Sequence, residues 1–369
     1  MHNQTKQRCG LGAAVFGVLL LGADPLLAAQ GALDRETGAA GSARTIDAAA
    51  RTVRIADAAS AFLASLNAEQ KAAALFAFGD DEQRRRWSNL PEGLFDRRGV
   101  SWRDLTGEQR HRFTALLAAL LSTRGLAMVE RQMAAERILA AERGFPALVD
   151  WFTGVKRGDE YYYVSFLGAP TSTQPWMLQF GGHHLAINAT MVGSRVTLSP
   201  TLTGGNPVRF QLNGEAVNIV AEEVSRATAL FRSLSDQQRS KALISTKRID
   251  LVNGPGNDGK PLPATGLPGR EMTSTQKKLL LELIEARLGI LNADHLFPTL
   301  VEVTSDLDRT YFAWFGPSPD AGAAYWRVAG PRVLIQFAPQ SRGGDPSNHL
   351  HNMYRDPAND YGMEWLKAN

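Results

Sequence analysis

The sequence predicts an α+β protein in which helices pack on an antiparallel sheet, in two pseudo-symmetric halves that descend from a degenerate internal duplication. Three observations predict this. The stretch SLNAEQKAAALFAF (65–78) returns in outline as SLSDQQRSKALIS (233–245), and LTGEQRHRFTALLAALLS (105–122) returns as MTSTQKKLLLELIEARLG (272–289). An aromatic strand ending in glycine then comes after each helical stretch, YYYVSFLG (161–168) and TYFAWFG (310–316). The offset falls from 168 residues, between Ser65 and Ser233, to 148, between Gly168 and Gly316, so the second copy is the shorter. Two copies are too few for a solenoid. The economical arrangement is helices layered on sheet around one core.

At the N-terminus Lys6 and Arg8 precede an apolar run, LGAAVFGVLLL (11–21), and the small residues Ala28 and Ala29 come after it. That is the layout of a secretory signal peptide, so residues 1–29 read as one, with cleavage near Ala29 and a retained anchor as the alternative. The mature chain is then expected to be exported, periplasmic or extracellular. The run is short for a bilayer and is cut off by Asp24 and Pro25. No stable membrane span is expected after cleavage. Residues 30–45 are small and polar, a flexible segment, and 46–369 form the domain, with halves at about 46–220 and 221–369.

Within that domain Ile46, Val53, Phe62 and Leu66 recur at helical spacing. Asn67, Thr106, Ser235 and Thr273 each stand where a helix N-cap belongs, because their side-chain oxygens can accept from the first free backbone N–H groups. RVTLSPTLTG (195–204) alternates as a strand and AEEVSRATALFRSL (221–234) is patterned as a helix. NGPGNDGKPLPATGLPG (253–269) is a loop long enough to be either mobile or functional. Tyr161–Tyr163 and Trp314 are expected in the core, where aromatic strands usually go.

Composition narrows the function. The 369 residues are 44% hydrophobic and 21% charged, as in ordinary globular proteins. Forty basic against 37 acidic residues leave a net charge of +3 without a basic block, so nucleic acid is not expected as a partner in spite of a pI near 9.0. Cys9, the only cysteine, lies ahead of the apolar run. The mature chain therefore has no disulfide, no thiol nucleophile and no thiolate metal site. Serine-elbow, P-loop, G-x-G-x-x-G and H-E-x-x-H motifs are absent, and no nucleotide cofactor is expected.

Chemistry is left to the histidines. His183 and His184 are adjacent in GGHHLAIN (181–188), which aligns with AGPRVLIQ (329–336) of the other half, so the fold itself does not require them. Read as a strand, this stretch points the two imidazoles to opposite faces. One would then be a ligand and the other its support, His184 being favoured for its more polar face. His349 and His351, two apart in NHLHNMYRDPANDYG (348–362), share one face of a strand and can reach one ion. A His-x-His pair with a distant third histidine is a frequent way to hold Zn²⁺, Cu²⁺ or Fe²⁺ with a position left open. His183, His184, His349 and His351 are the candidate metal ligands. Gln179, Gln336, Arg355 and Asp360 are candidates to bind substrate or to orient the ligands. His111 and His295 read as solvated or capping residues.

Four blocks together carry a resemblance: YYYVSFLGAP, PWMLQFGGHHLAIN, TYFAWFGP and HLHNMYRDPANDYG. They resemble the exported bacterial and fungal proteins grouped as domain of unknown function number 3500, through most of the mature chain. That resemblance implies no activity. The family pattern commonly has an acid where Gly181, Gln336 and Ala338 stand here, which implies weak metal binding or different chemistry if those acids complete a site in relatives. The expectation is an exported metal-dependent enzyme, a hydrolase or a copper or iron oxidase, acting on a small-molecule or polymer substrate that the sequence does not identify. The alternative is a non-catalytic exported protein that binds a small ligand or metal.

Overall fold

The computed structural model describes residues 47–141, 153–341 and 344–367. The expected signal peptide and flexible segment lie outside the described residues. The first half runs α1 (Ala48–Ser65), α2 (Ala68–Ala74), β1 (Leu75–Phe76), α3 (Asp81–Arg85), β2 (Val100–Ser101), α4 (Gly107–Leu120), α5 (Thr123–Ala141), β3 (Tyr163–Leu167), β4 (Trp176–Gly182), β5 (Leu185–Val192), β6 (Arg195–Thr197) and β7 (Thr201–Gly205). A small hairpin, β8 (Arg209–Leu212) and β9 (Glu215–Asn218), comes next. The second half runs α6 (Ala221–Ser233), α7 (Asp236–Ala242), β10 (Leu243–Ser245), β11 (Leu267–Pro268), α8 (Ser274–Leu288), α9 (Ala293–Ser305), β12 (Tyr311–Phe315), β13 (Tyr325–Ala329), β14 (Leu334–Pro339), β15 (Leu350–Arg355) and α10 (Met363–Lys367).

The helices begin where their caps dictate. Asn67, Thr106, Ser235 and Thr273 each accept from the backbone N–H three residues on, and the glutamine at that position returns a bond to the cap's own N–H. These glutamines also tie neighbouring helices together. Gln109 Nε2 donates to Ser65 O at 2.9 Å and to Gln70 Oε1 at 2.8 Å. Gln276 Nε2 donates likewise to Ser233 O at 2.8 Å and to Gln238 Oε1 at 2.9 Å.

Among the described residues, thirteen strands form one sheet, ordered β1-β3-β4-β5-β7-β15-β14-β13-β12-β10, with β2, β6 and β11 pairing at its margins. The sheet is mixed, not antiparallel throughout: β1 pairs with β3 and β10 with β12 in parallel. The stretch expected as one strand over 195–204 is divided into β6 and β7, parted at Ser199–Pro200, where proline has no N–H to give a ladder.

One face of the sheet carries Phe166, Phe180, Ile187, Trp314, Trp326 and Ile335, packed under the helices with Phe62, Phe113 and Phe231. Trp314 is fully buried there, its ring centroid 4.3 Å from that of Phe231. The opposite face is covered by two loop segments, about 79–99 and 246–266. Gln83 reaches Gln179 from the first, and Asn253 reaches Gln336 from the second. They meet at the centre of the sheet, where Trp87 and Leu251 pack on Ala186, Leu202 and Met353. No helix among the described residues is long and apolar enough to cross a membrane.

Candidate metal centre

His183 and His184 are not in a strand. Gly182 closes β4 and pairs with Leu185, which opens β5, so the two histidines are the whole of a two-residue hairpin turn. Strand parity does not apply to a turn, and the imidazoles stack on one another with centroids 3.6 Å apart. His184 takes φ +60°, a left-handed conformation for which glycine is the default. A side chain there costs roughly 1–2 kcal/mol, which the surrounding contacts must offset.

Those contacts are specific. Tyr162 Oη donates to the carbonyl of His183 at 2.9 Å, deep in the core. Gly182 is the residue that permits it, since a Cβ at that position would stand 2.1 Å from the Tyr162 ring. The peptide N–H of His184 donates to the carbonyl of Asn89 in the first covering loop. Arg97 steadies that loop from beneath, donating to Ser88 O and Leu90 O.

Glu136, buried on α5, receives both rings. His184 Nδ1 lies 2.7 Å from its Oε1 and His183 Nδ1 3.0 Å from its Oε2. Burial alone would raise the Glu136 carboxyl, but His183 beside it and the hydrogen bonds from both imidazoles bring it down to about 2. An ionised carboxylate can only accept, so both histidines carry their proton on Nδ1. Burial, together with the neighbouring His183, lowers His184 to about 3 in spite of Glu136. Its ring is therefore neutral at ordinary pH, with the proton on Nδ1 and a lone pair on Nε2.

That lone pair faces the second half of the chain. β7 lies between β5 and β15, and its end opposite His351 is Gly204, where a Cβ would stand 2.1 Å from the carbonyl of Leu350. His349 precedes β15 in extended conformation and His351 lies within it, so the two rings share a side, with centroids 5.3 Å apart. His184 Nε2 is 3.1 Å from His349 Nε2, and the His184 and His351 rings are 5.3 Å apart. One nitrogen from each of His184, His349 and His351 falls within a single group whose members all lie within 4.8 Å of one another. His349 and His351 are half-buried, while His184 is fully buried. Burial, then His184 and His349, lowers His351 well below the usual imidazole value. Asn89 Nδ2 sits 3.2 and 3.3 Å from the two nitrogens of the His351 ring. Two imidazole nitrogens 3.1 Å apart, each at the ~2.0–2.1 Å of a metal bond, subtend roughly 100° at a shared ion. That lies between octahedral and tetrahedral geometry. Glu136, His183 and His184 make a second such group, in which the carboxylate already accepts from both imidazoles.

All four expected histidines therefore converge, with His183 as the stacked neighbour behind His184. The other four expected residues lie elsewhere. Gln179 donates to Arg84 O and Asn188 Oδ1, and Gln336 accepts from Val252 N and Asn253 N. Both glutamines anchor the covering loops to the sheet. Arg355 pairs with Asp258 at 2.8 Å and with Asp360, which also accepts from Ser199 Oγ. Arg355 and Asp360 thus fasten the far end of β15 and do not orient imidazoles. His295 is neither solvated nor a cap: it is buried on α9, its Nε2 3.0 Å from Thr52 Oγ1. Sequence reasoning missed Glu136, Tyr162 and Asn89. The available signal for Glu136 was a lone acid on a helix face otherwise made of Val129, Gln132, Met133 and Leu139.

A family model described as a protein of unknown function (DUF3500) matches residues 48–363. No curated protein and no solved structure matches the chain.

Proposed function

This chain belongs to the DUF3500 family, and from that premise we propose that it is an exported, metal-dependent enzyme whose ion is held by His184, His349 and His351. One observation carries the reading. A buried carboxylate fixes His184 through Nδ1 and leaves Nε2 3.1 Å from another imidazole nitrogen. Carboxylate, histidine and metal in series is the usual way a protein holds a ligating imidazole in one tautomer and raises its basicity. Three neutral nitrogen donors leave a divalent ion its full charge and an open position, which suits the activation of bound water. Hydrolysis is the leading reaction class, because it needs no second redox partner. A copper or iron oxidase is the alternative on the same ligands.

The same reading includes the origin of the fold. Matching capping boxes, matching glutamine bridges and a strand order that repeats from both ends support a duplicated unit, its sheet mainly antiparallel. In the second half Pro331 and Arg332 stand where the first has His183 and His184, and Arg332 turns to Glu364, Glu302 and Asp356. Only one of the two equivalent turns is equipped as a ligand, and its partners come from the other half. Export rests on the leader-like residues 1–29 alone.

The test is metal content. The mature protein, purified and reconstituted with Zn²⁺, Cu²⁺ or Fe²⁺, should hold one ion per chain, and a His349→Ala/His351→Ala double variant should lose it. A wild type that binds none after reconstitution refutes the metal reading. Stoichiometric metal without turnover on ester, amide, phosphoester and phenolic substrates would leave a metal-binding protein and not an enzyme.

A further inference from the structure

Away from the histidines, Arg287 near the end of α8 is 1% exposed. Its Nη2 donates to Thr201 O on β7 and Asn352 O on β15, at 2.9 and 3.3 Å. Its Nε is buried without a hydrogen-bond partner. No carboxylate among the described residues makes an ion pair with it, although Glu223 is close enough to act on its charge. Burial lowers the guanidinium only to about 10, so it remains a cation at neutral pH. A buried cation without a paired anion is costly, and such groups normally coordinate a counter-charge.

The fold does not demand this arginine. Thr273 caps α8 fourteen residues before Arg287, and Leu120 stands at the same distance from Thr106 on α4. Arg287 lines a cavity whose other walls include Leu198, Leu288, Leu291, Leu296 and Thr299. With Nη2 engaged by two carbonyls, the guanidinium keeps an unpartnered Nε N–H for one oxygen of an anion, and the branched aliphatic side chains give an apolar lining for the alkyl group that bears it. We propose that this cavity binds a small aliphatic carboxylate, one oxygen on Arg287 and its alkyl end against the leucines. Because Arg287 also holds the carbonyl of Asn352, the residue after His351, such a ligand would act on the strand that carries the histidine pair.

Thermal unfolding of the full chain in sodium formate, acetate and butyrate tests this, against sodium chloride at equal ionic strength and against n-butanol. Butyrate should raise the midpoint most, saturably and by about 2–4 °C, with formate least and with chloride and butanol inert. Arg287→Met should abolish the response. Thr299→Phe, at a half-buried wall position, should fold and lose butyrate before formate. Equal protection by chloride, protection by none of the anions, or a response retained in Arg287→Met would overturn the proposal. None of these readouts requires metal, so they stand or fall apart from the histidine centre.

Discussion

Replacing Glu136 by glutamine isolates what the carboxylate does, because shape and volume barely change. The ionised group accepts from two imidazoles at once, at 2.7 and 3.0 Å. An amide in the same place offers one accepting oxygen and one donating NH₂. Whichever histidine faces the NH₂ must turn its tautomer over, accepting at Nδ1 and carrying the proton on Nε2. Should that be His184, the proton lands 3.1 Å from His349 Nε2, where a ligand lone pair is needed. Loss of such a supporting partner typically weakens metal binding ~10–100-fold, or about 1.4–2.7 kcal/mol. Competition between the protein and a chelating dye for Zn²⁺ at neutral pH measures it, with Glu69→Gln on the exposed first turn of α2 as control. The absorption spectrum of the Co²⁺ form reports any change of ligand set. Equal affinity in Glu136→Gln and wild type, within about twofold, with the double histidine variant empty, would refute the supporting role of Glu136.

The same geometry sets other outcomes. Gly182→Ala drives a Cβ into the Tyr162 ring, and should cost about 1–3 kcal/mol in denaturant unfolding and release metal as well. The metal-free protein should lose stability as pH falls from about 6.5 to 3: unfolded His184 takes a proton near 6.5, whereas in the folded chain it does so only at about 3. Glu136 adds to this loss in the same direction, since its stabilisation is present above its unfolded value of 4.5 and disappears as pH drops through about 2. Urea titrations across that range check both signs, and stability that rises on acidification would contradict them. Gln109→Ala and Gln276→Ala each strand equivalent partners, and should each cost about 1–3 kcal/mol, measured side by side. Markedly unequal costs would argue against equivalent construction of the two halves.

Much of the fold was legible because its signals are local. A cap three residues ahead of a glutamine fixes a helix start wherever the rest of the chain goes, and all four such starts stand where the residues put them. The histidine partnership was legible for a different reason: few residue types could do the chemistry, and only two clusters of one type existed. The placement of His183 and His184 was not legible. Whether GGHH is strand or turn depends on the register of β4 against β5, and the two glycines suit either. Nor did the sequence tell Glu136 from the other acids of the helical stretches. A buried carboxylate reads as a misplaced surface residue until its partners, 47 and 48 residues away, come into view. Arg355 and Asp360 lie apart from the imidazoles because proximity in sequence to His351 is not proximity in space: four residues along a strand carry a side chain ~13 Å away.

The proposed ligand set also has a consequence for the order of events in the life of each molecule. His184 and Glu136 are synthesised long before His349, 165 residues after His184, and His351 beyond it. Until β15 has docked beside β7, the early pair offers one free imidazole nitrogen only. On the proposed ligand set, an ion could be held by all three imidazoles only once β15 has docked beside β7. If the proposed export holds as well, the compartment in which the chain finishes folding would select the ion.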